Sequence, residues 1–358
     1  MTPTIVRYPI PGNEFGGLLH IHGSRTAKHV ILYCGGFPDG MEPFTPVAQR
    51  LAASVGDDDC DGCFVGVTCW PGFDDESYRR LNFGNFRREG FSFVEVTCCI
   101  REAAKQLFLN YKNTTGGEDC NSPRIDKGDE PQFTVVFHDW GVLPGMMFVN
   151  RSIMEGNEYF SERTPDRVVL LDVLLSPHKS VTRFKHLPPY TVHEVIVCLA
   201  YRGALAFSFT MMRYISDSVG LATYAFLFVL LKILRLIPIR NIDSDMFKER
   251  NMNPYHLVYM AYPYYYLFRG IISNNIDSFS LGSLPLDLAK TPVLYIYGAE
   301  KNVMFHDRQG LALLQQEEKD GTSDCRVIKV EGAGHWVYCQ KPDVCVDEIR
   351  KFLKCGNR

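Results

Sequence analysis

The sequence contains no dense run of lysine and arginine, and its 38 basic and 41 acidic residues leave a formal net charge of −3. Proteins that bind nucleic acid use basic surfaces to neutralise phosphate groups, and such surfaces shift the charge balance strongly. We therefore expect no nucleic-acid partner.

Cysteine patterns typical of metal sites are also missing. The 12 cysteines are scattered, and Cys60-Asp-Gly-Cys63 is the only CxxC motif, without a second pair or a histidine at zinc spacing. We therefore expect no metal and no cofactor. Because residues 1–13 are polar and contain proline, unlike a secretory signal, we expect reduced thiols and a cytoplasmic location.

The most apolar run of the chain is shorter than the roughly 20 residues that are needed to span a bilayer. The most apolar run, residues 221–231, is followed by Lys232 and Arg235. A buried helix fits this pattern best. Basic residues beside apolar ones leave a peripheral contact with a membrane as the first alternative, and a membrane-spanning helix is the least favoured one.

Short apolar runs alternate with helical segments through most of the chain. This alternation predicts an α/β fold, a mainly parallel sheet with helices on both faces and catalytic groups on the loops after the strands. The alternation stops between residues 177 and 287, where long apolar helical stretches replace it. We predict a core of residues 1–176 and 286–358, with a helical cap of residues 177–285 inserted into it. The predicted strands are residues 29–33, 63–68, 133–137, 167–172, 291–297 and 325–330.

Residues 133–141, Phe-Thr-Val-Val-Phe-His-Asp-Trp-Gly, carry the most specific signal. A buried strand leads into a short turn, and residues 142–149 after it are apolar and suited to a helix. A strand that turns sharply into a helix lifts the residue at the turn out of the sheet, as in a nucleophile elbow. Asp139 lies at that position and is the candidate nucleophile.

An aspartate at such a turn suits one type of reaction. A carboxylate is already ionised near pH 7 and needs no base to become a nucleophile. Its attack on an ester would give an anhydride, whereas attack on an epoxide carbon or on a carbon bearing a halide would give an alkyl ester. Hydrolysis of that alkyl ester then requires a general base and donors that stabilise an oxyanion.

The sequence offers candidates for both requirements. His335 follows the last predicted strand after Glu331-Gly-Ala-Gly, and the two glycines permit a tight loop that brings the imidazole to Asp139. The oxyanion donors would be the backbone N–H groups of Phe37, in a glycine-rich loop after the first predicted strand, and of Trp140.

The order of these motifs resembles the α/β-hydrolase fold, and more narrowly its epoxide hydrolase and haloalkane dehalogenase branch, in which aspartate replaces serine. The resemblance covers roughly residues 15–175 and 285–355. It implies that Asp139 forms the covalent ester and that His335 activates water. The motifs that carry it are Gly36-Phe-Pro38, Trp70-Pro-Gly-Phe73, His138-Asp-Trp-Gly141 and Gly334-His335.

The same resemblance implies that tyrosines of the cap hydrogen-bond the epoxide oxygen and protonate the leaving alkoxide. Residues 255–266 are dense in tyrosine, and we expect the substrate-binding residues among Tyr262, Tyr264 and Tyr265. Plain aromatic packing is the alternative for each of them, and Tyr214 and Tyr224 are less favoured candidates.

The sequence departs from the family pattern at three positions. Gly35 stands where histidine is common, and Phe137 occupies the position two residues before the nucleophile, where a small residue usually lets the helix cross closely. At the usual position of the acid that orients the histidine stands Asn302. We favour Asp172, at the end of a predicted strand, as the acid, although a structural cap on its loop would also explain it.

Other candidates for the acid are Glu300, Asn302 and Asp307.

The leading hypothesis is a hydrolase that opens an apolar, lipid-like epoxide to a diol. The alternatives are a haloalkane or haloacid dehalogenase and a non-catalytic scaffold that binds lipid or a membrane. The expected partner is therefore a small apolar substrate, with a membrane contact through the cap as a second option; the sequence indicates no oligomeric state.

Overall fold

The computed structural model describes eight strands in one sheet. The described residues are 2–10, 13–53, 62–73, 88–112, 130–160, 163–177, 190–237, 254–273, 282–285, 287–301 and 306–354. The strands are β1 (Thr4–Ile10), β2 (Asn13–His22), β3 (His29–Cys34), β4 (Phe64–Thr68), β5 (Gln132–His138), β6 (Arg167–Leu171), β7 (Val293–Gly298) and β8 (Arg326–Val330).

The strand order places the carboxyl ends of the parallel strands along one edge of the sheet. The order is β1-β2-β4-β3-β5-β6-β7-β8, with β1, β2 and β4 paired antiparallel and the remaining pairs parallel. The register sets Cys34 beside Phe137 and Gly298 beside Val330. The loops that follow β3, β5, β6, β7 and β8 therefore begin close together, which is where ligands bind in sheets of this type.

The predicted α/β sheet is confirmed, and each of the six predicted strands corresponds to an observed one. The sequence analysis missed the hairpin of β1 and β2. Its outer strand buries only two of its seven side chains, Tyr8 and Ile10, so its apolar signal is weak. An edge strand of this kind is stabilised by its partner more than by its own composition.

Helices cover the sheet and fill the long connection between β6 and β7. In that connection α4 (Val192–Tyr214) packs against α5 (Asp217–Ile233), α6 (Pro254–Met260) and α7 (Tyr262–Ile272). Of the described helices, only α4 is long and apolar enough to cross a membrane, with a mean hydropathy of 1.7, and 44% of its most apolar window is buried. Length and composition alone are weak evidence for a span. The helices are α1 (Thr45–Ala52), α2 (Phe93–Lys112), α3 (Val142–Glu155), α4 (Val192–Tyr214), α5 (Asp217–Ile233), α6 (Pro254–Met260), α7 (Tyr262–Ile272), α8 (Arg308–Asp320), α9 (Val337–Gln340) and α10 (Pro342–Lys354).

The bulky Phe137 is accommodated by a glycine on the helix that follows the turn. A Cβ atom on Gly145 of α3 would lie 2.6 Å from three carbons of the Phe137 ring, which is fully buried. The small residue that lets the helix cross the strand closely is therefore Gly145 on the helix, and not a residue on the strand. The sharp turn therefore forms despite Phe137, because the space below it is provided by Gly145.

This packing predicts opposite effects for two glycine substitutions in helices. Gly145→Ala should lower the free energy of unfolding by about 1–3 kcal/mol, because the added methyl group overpacks a buried ring that has no space to move into. Gly203→Ala, in α4, should raise it by about 0.5–1 kcal/mol, because its Cβ would meet only Phe268, at 3.9 Å. Urea unfolding of both variants checks the prediction, and equal effects would contradict it.

Candidate active site

Asp139 lies at a sharp turn between β5 and α3. Its backbone φ is +48°, in the left-handed region that non-glycine residues rarely adopt, and its side chain is 14% exposed. The loop after β3 packs directly on this turn. A Cβ on Gly36 would lie 2.3 Å from the Trp140 nitrogen, and one on Gly141 would lie 2.5 Å from the Gly35 oxygen. Side chains at these two glycines would separate the loop from the turn.

The two expected backbone donors both reach the Asp139 carboxylate. The Phe37 N–H donates to Asp139 Oδ2 over 2.9 Å, and the Trp140 N–H also hydrogen-bonds this carboxylate. Burial raises the pKa of Asp139 above its ordinary value, although His335, His138 and the Trp140 N–H act in the opposite direction. The site thus combines a desolvated carboxylate with donors that would stabilise a negative charge on one of its oxygens.

His335 lies between Asp139 and a second carboxylate, Asp172. Its Nε2 is 3.6 Å from Asp139 Oδ1, and its Nδ1 is 2.5 Å from Asp172 Oδ2. Asp172 follows β6 directly, is fully buried and has a φ of +67°. The structure therefore brings together the three residues that the sequence analysis proposed as nucleophile, base and orienting acid.

Of the other candidate acids, Asp307 has a structural role at the start of a helix. Asp307 caps α8, where it accepts from the N–H groups of Gln309 and Gly310 at 2.9 Å and from the Ser176 hydroxyl at 2.7 Å. The Glu300 backbone N–H donates to the carbonyl of Ala333, and its side chain is half-buried. Asn302 lies outside the described residues, as does Cys60 of the CxxC motif.

A buried lysine that the sequence analysis missed completes the group of charges. Lys301 Nζ is 2.6 Å from Asp172 Oδ1, on the oxygen that His335 does not use. Burial raises the pKa of Asp172, but Lys301 and His335 outweigh burial and hold it below its ordinary value. A signal existed in the sequence, because Lys301 is adjacent to the position where the family usually has its acid.

The histidine is held protonated by its two carboxylate neighbours. Burial alone would lower the pKa of His335, but Asp172 and then Asp139 outweigh burial and raise it to about 9, and Lys301 acts against this rise. In the resting state His335 is therefore an imidazolium at neutral pH. The contribution from Asp139 depends on the charge of that carboxylate, so neutralising the carboxylate would remove it.

Asp39 connects the loops that carry these residues, and it too was missed. Its fully buried carboxylate accepts from Trp336 Nε1 at 2.8 Å and from the Tyr338 hydroxyl at 2.7 Å. His138 Nδ1 lies 2.9 Å from Asp39 Oδ2, and its Nε2 lies 3.2 Å from the His335 carbonyl oxygen. His138 thus links the turn at Asp139 to the loop that carries His335. Through Asp39, the cluster holds that turn and the His335 loop against the loop after β3.

Tyr264 is the candidate tyrosine that lies beside the turn of Asp139. Its ring packs edge-on against Phe37 and Trp140, with centroids 5.1 Å away in each case. Its hydroxyl hydrogen-bonds the Trp140 side chain. An indole nitrogen can only donate, so the Tyr264 oxygen accepts from it.

A second tyrosine, Tyr201 of α4, hydrogen-bonds Tyr264 and was not predicted. Burial raises the pKa of both hydroxyls, and the negative charge of Asp139 raises both further, so both hydroxyls lie within its field. The available signal was the position of Tyr201 within an apolar helical stretch of the predicted cap.

The other candidate tyrosines are engaged elsewhere. The Tyr262 hydroxyl donates to the Pro71 carbonyl at 3.1 Å, and its ring packs against Trp70 and Phe73 in the core. Tyr262 therefore takes part in aromatic packing, which was the alternative to substrate binding. The Tyr265 and Tyr214 hydroxyls are 3.1 Å apart from each other, and the Tyr224 ring packs on Phe228. Within the described part of the chain, no group of His, Cys, Asp and Glu side chains could hold a metal ion.

Comparisons with known proteins identify the fold. No family model matches the sequence, and no curated protein matches it. Solved structures do match over nearly the whole chain. An epoxide hydrolase from a metagenome of a hot environment aligns with a TM-score of 0.55 and 13% identity, covering 99% of this chain and 100% of that one. Potato (Solanum tuberosum) epoxide hydrolase I gives a TM-score of 0.53 and 16% identity, covering 98% and 99%.

A loop variant of a haloalkane dehalogenase from Bradyrhizobium elkanii aligns with a TM-score of 0.56 and 11% identity, covering 98% of this chain and 96% of that one. Identities this low establish similarity of fold only. The eight-stranded, mainly parallel sheet, its helices and these alignments agree with the predicted architecture. The chain has the α/β-hydrolase fold.

Proposed function

We propose that the chain hydrolyses an apolar epoxide to a diol through an alkyl ester on Asp139. The observation that carries the proposal is the hydrogen-bonded pair Tyr201–Tyr264 in the field of the Asp139 carboxylate. Opening an epoxide leaves an alkoxide that needs a proton, and two neutral phenols beside the nucleophile supply one. The aromatic walls of Phe37 and Trp140 suit an apolar substrate.

The first step uses Asp139 as it stands. Oδ2 is held by the Phe37 N–H, so Oδ1 is the oxygen that attacks the epoxide carbon. The carbon–oxygen bond of the ring breaks as the new ester bond forms. The alkoxide takes its proton from a tyrosine hydroxyl, and desolvation of the carboxylate increases its reactivity.

The second step needs His335 as a neutral base. Esterification removes the negative charge of Asp139, which had helped to raise the pKa of His335, so the imidazolium loses its proton more easily at this stage. That proton passes through solvent to the tyrosine that was left deprotonated by the first step. The base then takes a proton from water, whose oxygen attacks the ester carbon. Oδ2 becomes the oxyanion beside the Phe37 and Trp140 N–H groups, and Asp172 stabilises the imidazolium that forms again. That imidazolium protonates the leaving diol oxygen.

The Trp140 side chain favours an epoxide over an organic halide as substrate. A dehalogenase needs donors for the departing halide, and the Trp140 side chain offers one such donor, its indole N–H. Here the Tyr264 hydroxyl already accepts from Trp140. Displacing that contact would leave a buried tyrosine oxygen unsatisfied.

The proposal predicts an intermediate that accumulates when the base is removed. In His335→Gln, alkylation of Asp139 should proceed because it needs only the carboxylate and a tyrosine proton, whereas water activation should fail. Incubation with aliphatic and aromatic epoxides, followed by mass spectrometry of the peptide containing Asp139, should show a mass increase equal to that of the epoxide.

The matched control is His335→Gln combined with Asp139→Asn, which should remain unmodified. If wild-type protein turns over none of the epoxides and His335→Gln carries no adduct, the proposed function is wrong. A haloalkane series in the same assay tests the alternative, in which the adduct would have lost halide.

The tyrosine pair predicts a defect confined to the first step. Tyr201→Phe and Tyr264→Phe should each slow alkylation, and the double variant should slow it by about 10²-fold or more, a typical contribution from general acid catalysis. Rapid-quench measurement of the ester gives the rate. Tyr265→Phe is the matched control, because that hydroxyl contacts Tyr214, and an equal loss in this variant would contradict the assignment.

The position of Lys301 predicts a shift in pH dependence. Lys301 lowers the pKa of His335, so Lys301→Met should raise it. A higher pKa keeps the base protonated up to higher pH, and the rise of ester hydrolysis with pH should therefore move to higher pH. Single-turnover rates across pH measure this shift.

Lys290→Met, which removes an exposed lysine far from His335 along the chain, should leave the profile unchanged. A folded Lys301→Met protein, verified by thermal unfolding, whose profile does not move or moves to lower pH would contradict the proposed electrostatic role.

A further inference from the structure

Exposed apolar side chains concentrate on one part of the molecule. Of the 20 large hydrophobic residues that are exposed in the described chain, 16 lie in residues 190–234 and 271–272. Single exposed apolar residues are normal on protein surfaces, but a concentration of this size marks an interaction site. The most exposed are Ile272 at 83%, Val192 at 78%, Ile233 at 72% and Phe226 at 68%.

Packing among the described residues of the helices does not account for this surface. Helix α4 buries one side, including Tyr201, Leu205 and Phe209, and exposes Ile196 and Leu199 on another. Helix α5 buries only Gly220 and Leu231, although nearly all of its residues are apolar. A helix that is apolar all round is usually covered on all sides, by protein or by lipid. We call the exposed side of these two helices the α4–α5 face.

The charges of this region have one sign where they are exposed. Within the described helices α4 to α7 and their turns, the exposed charged residues are Lys232, Arg235 and Arg269. The two acidic residues there are half-buried and occupied: Glu194 caps α4, and Asp217 lies 3.6 Å from Arg88. Lys232 and Arg235 directly flank Ile233 and Leu234, so the basic and apolar groups form one surface.

We propose that the α4–α5 face docks onto the surface of a lipid bilayer that contains anionic lipids. Apolar side chains beside lysine and arginine match the boundary between acyl chains and negative head groups. A second copy of the chain fits less well, because a symmetric contact would set Lys232 and Arg235 close to their own copies. Helix α4 does not cross the bilayer, since its inner side packs in the protein with Tyr201 at the site.

The docked orientation places the lipid next to the site. Tyr201 lies on the inner side of α4, and Ile196 and Leu199 lie on its exposed side. An α-helix is about 10 Å across with its side chains, so acyl chains in contact with the α4–α5 face would lie close to Asp139. This consequence rests on the proposed function and identifies the substrate as an epoxide that partitions into lipid. Docking itself does not depend on catalysis.

Vesicle flotation tests the proposal. Wild-type protein and the His335→Gln variant should both float with vesicles of phosphatidylcholine containing about 30% phosphatidylserine, and less with pure phosphatidylcholine or at high salt. Phe226→Asp combined with Ile233→Asp should lower the bound fraction by roughly tenfold or more, because charged groups replace the inserted apolar ones. Lys232→Glu with Arg235→Glu should remove the preference for phosphatidylserine.

Met154→Asp is the matched control, because Met154 is 63% exposed on α3, outside the α4–α5 face, and it should float like wild type. Failure of folded wild-type protein to float with either vesicle would overturn the proposal. So would sedimentation showing a stable dimer that the Phe226→Asp, Ile233→Asp variant converts to monomers. Because His335→Gln is used alongside wild type, a failure to hydrolyse epoxides leaves the flotation result interpretable.

Discussion

The charge balance of the site depends on the fully buried carboxylate of Asp172. One of its oxygens binds the Lys301 ammonium and the other binds the His335 ring. A buried charge is tolerated when partners replace the water it has lost, and removal of one partner leaves the rest uncompensated. Asp139, Asp172, Lys301 and His335 therefore act as one electrostatic unit. A change of charge at one of them alters the protonation of the others.

This unit works only if its four members stay in position, and the backbone provides that constraint. Gly36 packs against the elbow and Gly298 packs against the His335 loop so closely that a Cβ at Gly298 would lie 2.1 Å from the Gly334 oxygen. Asp39 then ties the same loops together through buried hydrogen bonds. Small displacements strongly reduce rates in sites of this type. Close backbone contact and a buried polar cluster together limit such displacements.

Sequence reasoning succeeded where a residue's role follows from its neighbours along the chain. The strand before Asp139, the helix after it and the glycines before His335 are local features, and the parallel register then brings them together. The same reasoning missed Lys301 and Tyr201. Each of these acquires its role from a partner far away in sequence, and its position along the chain, although suggestive, does not identify that partner.

Phe137 also shows that a prediction from one sequence position can miss the residue that faces it. Its size in the elbow argued against a tight turn, yet the structure compensates eight residues later at Gly145. Packing depends on the sum of two facing side chains rather than on either alone. A pattern that specifies a small residue at one fixed position cannot register a compensating change on the facing helix.

Helix α4 connects the two proposals made for this chain. Its inner side brings Tyr201 near Asp139, whereas Val192, Ile196 and Leu199 on its other side are exposed. Each large apolar side chain left in water forgoes about 1.5–3 kcal/mol of burial free energy. Helices that only covered a water-soluble substrate would gain nothing from this arrangement. The exposure is consistent with a surface that is covered when the protein works, and lipid that covers α4 would bring an apolar epoxide to within one helix diameter of Asp139.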